Sequence, residues 1–161
     1  MAVSAYIRKI REKIGHEMLL LPAVSAIIVD ERNRVLLHRS SDDGKWYTIG
    51  GAIDPGEEPA AAAVREAREE TGLIVEPVRV VAVKTFEPML YPNGDQAVYV
   101  GIAFLCRIVG GDLHVADDES LELRFFAEGE FPELHPGQLE EVKYALSGNL
   151  ATMFVRPGEA R

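Results

Sequence analysis

The sequence predicts one mixed α/β domain. Short apolar runs with strand-like alternation recur along the chain, and three stretches with helical spacing or clear helix-end residues separate them. No repeat, linker or low-complexity segment divides the chain, and 161 residues suit a single core. A composition of 47% hydrophobic and 27% charged residues is that of an ordinary globular protein, which excludes a collagenous or disordered chain.

Each element has its own reason. Residues 5–17 are expected to be helical, because Ile7, Ile10 and Ile14 fall on one side with charges around them. Ala23–Val29 and Arg34–His38 are apolar runs on either side of the turn-like Asp30–Asn33, so they predict a hairpin. Ser40–Lys45 is a polar loop and Trp46–Ile49 a short extended piece. Gly50-Gly51 and Asp54-Pro55-Gly56 bracket a compact loop. Pro59 suits the first turn of a helix, acidic Glu57 and Glu58 suit its positive end, and Gly72 is a natural terminator. Val75–Phe86 reads as strand and Glu87–Gln96, with two prolines and Asn93-Gly94, as loop. Along Ala97–Val109, Val98, Val100, Ile102, Phe104, Cys106 and Ile108 face one way. Gly110-Gly111 is expected to turn, Leu121–Phe126 to be a strand and Gly137–Leu146 a closing helix.

Charge and cysteine content narrow the function classes. A net charge of −9 leaves no positive field for nucleic acid, so no nucleic-acid partner is expected. Cys106 stands alone, which excludes an intramolecular disulfide and argues against a Cys/His zinc cluster; it reads as a small buried hydrophobe. Nothing approaches the roughly 20 apolar residues of a membrane span, so no membrane partner is expected. Basic Arg8, Lys9, Arg11 and Lys13 precede an apolar stretch, yet Glu12 and Glu17 interrupt them and the stretch runs into the first strand. The expectation is a cytoplasmic protein without a cleaved leader.

The chemistry concentrates on the Pro59 helix. Glu66, Glu69 and Glu70 stand at i, i+3 and i+4, hence on one face. Like charges at these spacings repel, and three clustered carboxylates suit a hard divalent cation such as Mg²⁺. A charged, solvated face is the alternative reading of this run. The opposite side carries Ala60, Ala63, Val64 and Ala67, small enough to sit close against a sheet. Arg65 can reach Glu69 one turn on and hold its carboxylate.

Gly51, Glu57, Arg65-Glu66, Ala67, Glu69-Glu70, Gly72 and Leu73 stand in a register that resembles the Nudix hydrolase (MutT-like) signature. The resemblance implies a Nudix-type α/β/α sandwich around a mixed β-sheet, with an extra N-terminal helix. The expected organisation is a helical extension at 1–21, a hydrolase domain at 22–150 and a tail at 151–161; the resemblance spans roughly residues 22–147 and leaves the N-terminal helix outside it. It also implies roles: Glu66, Glu69 and Glu70 ligate Mg²⁺ (or Mn²⁺ in its place) with the Gly50 carbonyl, Glu57 supports the cluster, and Arg65 orients the carboxylates. The family often adds an acid from an opposing loop. Asp117-Asp118-Glu119 lies where that acid is expected, and Glu119 is the choice among them. Two departures stand out: Ala67 is smaller than the aliphatic residue often found there, and Thr48-Ile49 replaces the usual Leu-Pro before the glycines.

The implied reaction is pyrophosphohydrolysis, with Glu66 or Glu119 taking a proton from water that attacks phosphorus in line. Candidate substrate contacts are Arg39, Trp46, Tyr47, Tyr91 and Asp95. Pro88 lies near where a proline marks ADP-ribose-type members, and Tyr91 near where a tyrosine marks dinucleoside-polyphosphate members, so the two point to different substrates. A small-molecule nucleotide is the implied partner, with ADP-ribose or a nucleotide sugar ahead of a nucleoside triphosphate or dinucleoside polyphosphate. A non-catalytic nucleotide-binding domain is the rival class, and the intact carboxylate set argues against it. The Ile7/Ile10/Ile14 stripe allows packing on the same chain or in a homodimer.

Overall fold

The computed structural model describes residues 4–116 and 118–158. In chain order the elements are α1 (Ala5–Ile14), β1 (Leu19–Val29), β2 (Val35–Ser40), β3 (Trp46–Ala52), α2 (Pro59–Thr71), β4 (Leu73–Thr85), β5 (Met89–Leu90), β6 (Gln96–Gly111), β7 (Ser120–Phe126) and α3 (Pro136–Leu146). The strands form one sheet in the order β4-β6-β1-β3-β2-β7, with β5 beside β6. β1 and β6 run parallel and the other pairings are antiparallel, so the sheet is mixed.

Strand alternation sends side chains to two separate cores. Val24, Ala26 and Ile28 of β1 pack with Ile49, Phe104, Cys106 and the α2 alanines Ala62, Ala63 and Ala67. Ile27 turns the other way and joins Leu37, Val81, Ala103 and the α3 residues Val142 and Ala145. One helix therefore covers each face, which is the expected sandwich. Ile27 and Ile28 are both fully buried, and each contributes roughly 1.5–3 kcal/mol of apolar burial. The alternation read along β6 holds over its second half, where Ile102, Phe104, Cys106 and Ile108 pack in the α2 core; Val98 and Val100 lie outside that core.

Several boundaries differ from expectation. β3 runs through Gly50-Gly51 to Ala52 in place of the expected loop, because these glycines pair with Ser25 and Val24 of β1, and β2 extends to Ser40. α1 stops at Ile14, because Gly15 takes a positive φ of 62° and its N–H returns to the Arg11 carbonyl. β1 begins at Leu19, ahead of Ala23, since Leu19–Pro22 pair with Ala97–Val100 of β6. The 87–96 loop contains the short β5, held by Met89↔Ala97 and Leu90↔Gln96. Gly110-Gly111 does not turn but ends β6, pairing with Ile74 and Leu73. A Cβ on Gly111 would lie 2.3 Å from the Gly72 carbonyl oxygen, so glycine serves a close approach there. Among the described residues no helix is long and apolar enough to cross a membrane.

Candidate active site

α2 carries the site because its two sides are so different. Pro59 sits in the first turn, and Gly72 closes the helix in the left-handed conformation with its N–H on the Arg68 carbonyl. Ala62, Ala63 and Ala67 are wholly buried, which brings the helix axis close to β1 and β3; of the expected packing side, Ala60 is exposed and Val64 half-buried. Ala67 is thus a packing choice. A groove along α2 is lined by Glu57, Ala61, Val64, Arg65, Arg68, Glu69 and Ala116. Of the three helix carboxylates only Glu69 lines it, while Glu66 and Glu70 turn towards Gly51 and Gly50 of β3.

Arg65 organises the carboxylates. Its Nε and Nη2 donate to the two Glu57 oxygens at 2.8 and 2.9 Å, a fork-to-fork pair. Its Nη1 donates to Glu66 at 2.7 Å and to Glu69 at 3.1 Å, and Nη2 also reaches the Ala52 carbonyl at 3.1 Å. The expected Arg65–Glu69 contact is present, but Glu57 is the principal partner. Arg65 holds the Glu57 carboxyl below the usual carboxylate range, while Glu57 in turn raises the guanidinium. Glu57 also accepts from the Asp54 N–H at 3.1 Å, fixing the loop before the helix.

Burial pushes the Glu66 carboxyl above its ordinary range despite Arg65, and the charges of Glu69 and Glu119 add to the push. A carboxyl shifted in this direction suits a proton acceptor near neutral pH. The paired glycines of β3 make room for the cluster. Gly51 lies opposite Val24 of β1, and a Cβ on it would sit 2.4 Å from a Glu66 oxygen. The Gly50 N–H donates to Glu70 at 3.3 Å. Glu70 itself is buried, and its other oxygen lies 3.8 Å from His38 Nδ1.

His38 was assigned no role from sequence, yet it stands beside Glu70 and hydrogen-bonds Ser120 at 2.9 Å. Burial pushes its imidazole down to about 4, so it is neutral at physiological pH. The pairing of β2 with both β3 and β7 brings it here, and no local spacing announces that. Glu119 lies on the loop before β7, close enough for its charge to be felt at both Glu66 and His38. Asp118 precedes it; Asp117 lies outside the described residues.

Among the described residues, no three acidic or imidazole groups converge closely enough to hold a metal ion. Three of the carboxylates turn onto Arg65 instead, so the guanidinium balances their charge. In kind the donors fit a hard divalent cation: they are oxygens, they are anionic, and the Gly51 cradle leaves Glu66 space that a methyl group would fill.

The expected substrate contacts do not come together. Arg39 and Trp46 face the α3 core, where Trp46 packs edge-on against Phe126 at 5.0 Å and Arg39 lies 3.7 Å from Glu122. Tyr47 shares the α2 side with Ile49 and Gly51, and its hydroxyl donates to Asp43 at 2.6 Å. Tyr91 hydrogen-bonds Tyr99 at 2.7 Å. Asp95 binds His16 at 2.7 Å and lies 3.6 Å from Arg11, so it anchors the end of α1.

Known proteins share this fold. The NUDIX domain model matches residues 19–146. An ADP-ribose pyrophosphatase of Methanocaldococcus jannaschii is 32% identical over 135 residues, 81% of this chain and 77% of that protein. A CMP-5'-(N-acetyl-N-hydroxy-3-aminopropyl)phosphonate hydrolase of Streptomyces rubellomurinus is 35% identical over 76% of this chain, a match that spans 60% of the relative's length. The crystal structure of an ADP-ribose pyrophosphatase from Streptococcus suis superposes with a TM-score of 0.65 at 27% identity, covering 82% of this chain and 96% of that one.

Proposed function

The chain belongs to the Nudix hydrolase family, and from that premise we propose that it cleaves the phosphoric anhydride of a nucleoside diphosphate joined to a second group, using Mg²⁺ or Mn²⁺. One observation carries the reading: Arg65 gathers Glu57, Glu66 and Glu69 while Glu70 turns to Gly50, a carboxylate cluster where α2 meets β3, and the charge of Glu119 reaches Glu66. A binding domain has no need to keep such a mutually repelling set together.

The chain's own residues divide the work. Glu66, Glu69 and Glu70 would hold the metal ion, which when bound offsets the negative charge of the diphosphate and makes water a better nucleophile. Arg65 and Glu57 keep the carboxylates oriented, and Gly51 gives Glu66 its place. Glu66 or Glu119 accepts the proton from the attacking water; burial keeps the Glu66 carboxyl ready to take it. Water attacks phosphorus in line, and the products are a nucleoside monophosphate and a second phosphorylated fragment. The names of two relatives, ADP-ribose pyrophosphatase and CMP-phosphonate hydrolase, favour a nucleotide carrying a second moiety over a simple triphosphate.

Incubation with Mg²⁺ and ADP-ribose, nucleotide sugars, dinucleoside polyphosphates or nucleoside triphosphates, followed by chromatography, tests the reading. Cleavage of the first two classes, lost in Glu69→Gln and Glu70→Gln, is the expected result. Preferential cleavage of triphosphates would refute the substrate class, and nucleotide binding without cleavage would refute catalysis.

A further inference from the structure

The segment carrying Glu119 is anchored on both sides. Upstream, the His114 N–H donates to the Thr71 carbonyl at 3.0 Å and the Ala116 N–H to the Glu70 carbonyl at 3.2 Å, so it leaves directly from the last turn of α2. Downstream, the Ser41 N–H donates to the Glu119 carbonyl at 2.8 Å and the Ser41 hydroxyl to the Asp118 carbonyl at 2.8 Å. The next residue, Ser120, bonds through its hydroxyl to buried His38 at 2.9 Å. The β2–β7 ladder shifts register between Arg39 and Ser40, which sets Ser40 opposite Ser120 and leaves Ser41 beside the loop.

We infer that Ser41, Ser120 and His38 are positioning residues that hold the Glu119 carboxylate at the cluster on α2. The inference rests on the pyrophosphohydrolase reading above. Backbone pairing alone would fix the start of β7; the two serine hydroxyls and the imidazole also fix the residues on either side of Glu119. Such fixing matters because displacing a catalytic group by about 1 Å can cost about 100-fold in rate.

The test measures kcat, KM and melting temperature for Ser41→Ala, Ser120→Ala, Ser41→Thr, Glu119→Gln and the double variant Ser41→Ala/Glu119→Gln. Ser41→Ala and Ser120→Ala are expected to lower kcat about 10-fold while KM stays within about threefold. Exposed Ser41 tolerates substitution, so the Ser41→Ala melting temperature should stay within about 4 °C of wild type. Ser41→Thr should restore kcat. In the Glu119→Gln background Ser41→Ala should cost nothing more, because both act through one carboxylate. Unchanged kcat in both alanine variants, or an undiminished loss in the double variant, would overturn the inference. Full activity of Glu119→Gln would also overturn it while leaving the hydrolase reading intact; a wild type that cleaves nothing in the panel would remove both.

Discussion

Replacing Arg65 separates its geometry from its charge. Arg65→Lys keeps a cation but loses the planar fork that meets both Glu57 oxygens and the Ala52 carbonyl. Hydrogen bonds to charged groups are worth about 1.5–3 kcal/mol each in net terms. The Arg65 side chain is 29% exposed, which places each at the low end, and one ammonium can recover part of the loss at Glu66 and Glu69. The balance is a cost of about 2–3 kcal/mol, or roughly 4–12 °C in a chain of this size. Arg65→Ala also leaves Glu57, Glu66 and Glu69 facing one another uncompensated, for about 3–5 kcal/mol. Melting in EDTA and then in saturating Mg²⁺ is the assay. The divalent ion should recover more stability in Arg65→Ala than it adds to wild type, because it takes over the neutralising role. An Arg65→Lys protein that melts within about 1 °C of wild type would refute the argument that the fork holds the cluster.

Gly51→Ala is expected to fold with a loss of about 1 kcal/mol and to lose activity about 10- to 100-fold, because its Cβ displaces the movable end of Glu66; kinetics beside a melting curve decide this. Gly50→Ala should cost about 3 kcal/mol or more, since its Cβ would lie 2.1 Å from the Val24 backbone oxygen; near-wild-type melting would count against that packing. Glu57 has its pKa lowered in the folded state by Arg65, so its stabilisation is full above the unfolded carboxyl pKa of about 4.3 and fades as pH falls through the folded value. The melting difference between wild type and Glu57→Gln should therefore be constant from about pH 6 to 8 and shrink towards about pH 3; a difference that grows on acidification contradicts it. Burial pushes the Cys106 thiol up to about 12, so a thiol reagent at pH 8 should label the protein only at its unfolding rate, and fast native labelling would show the site to be open.

What could be read from sequence were the local features. Pro59 and Gly72 marked the ends of α2 because both act within one turn, and the spacing of Glu66, Glu69 and Glu70 fixed their common face. Features that depend on distant chain were hidden. Leu19–Pro22 become strand only through the parallel partner at 97–100, and His38 reaches Glu70 and Ser120 only through the placing of β2 between β3 and β7. Gly110-Gly111 has the composition of a turn, but the nearby Gly72 carbonyl sets its real constraint. Arg65 could be placed against Glu69 by helical spacing, whereas its stronger partner Glu57 precedes the helix. Trp46 and Arg39 were offered to a substrate because their residue types suit one, and strand parity sends both to the other face of the sheet.

The parallel pairing of β1 with β6 also imposes an order of events during biosynthesis. β1 meets β3 soon after synthesis, but its other neighbour lies about 80 residues downstream, which a ribosome takes about 4–16 s to add. Hairpins close in microseconds, so β1–β3 and α2 can assemble while one edge of β1 still lacks its partner. Ile27 waits longer still, because its cover on α3 comes near the end of the chain. A nascent chain stalled before β6 would therefore display the acidic helix on an adhesive, half-built sheet, and the strand led in by Glu119 would be among the last pieces delivered.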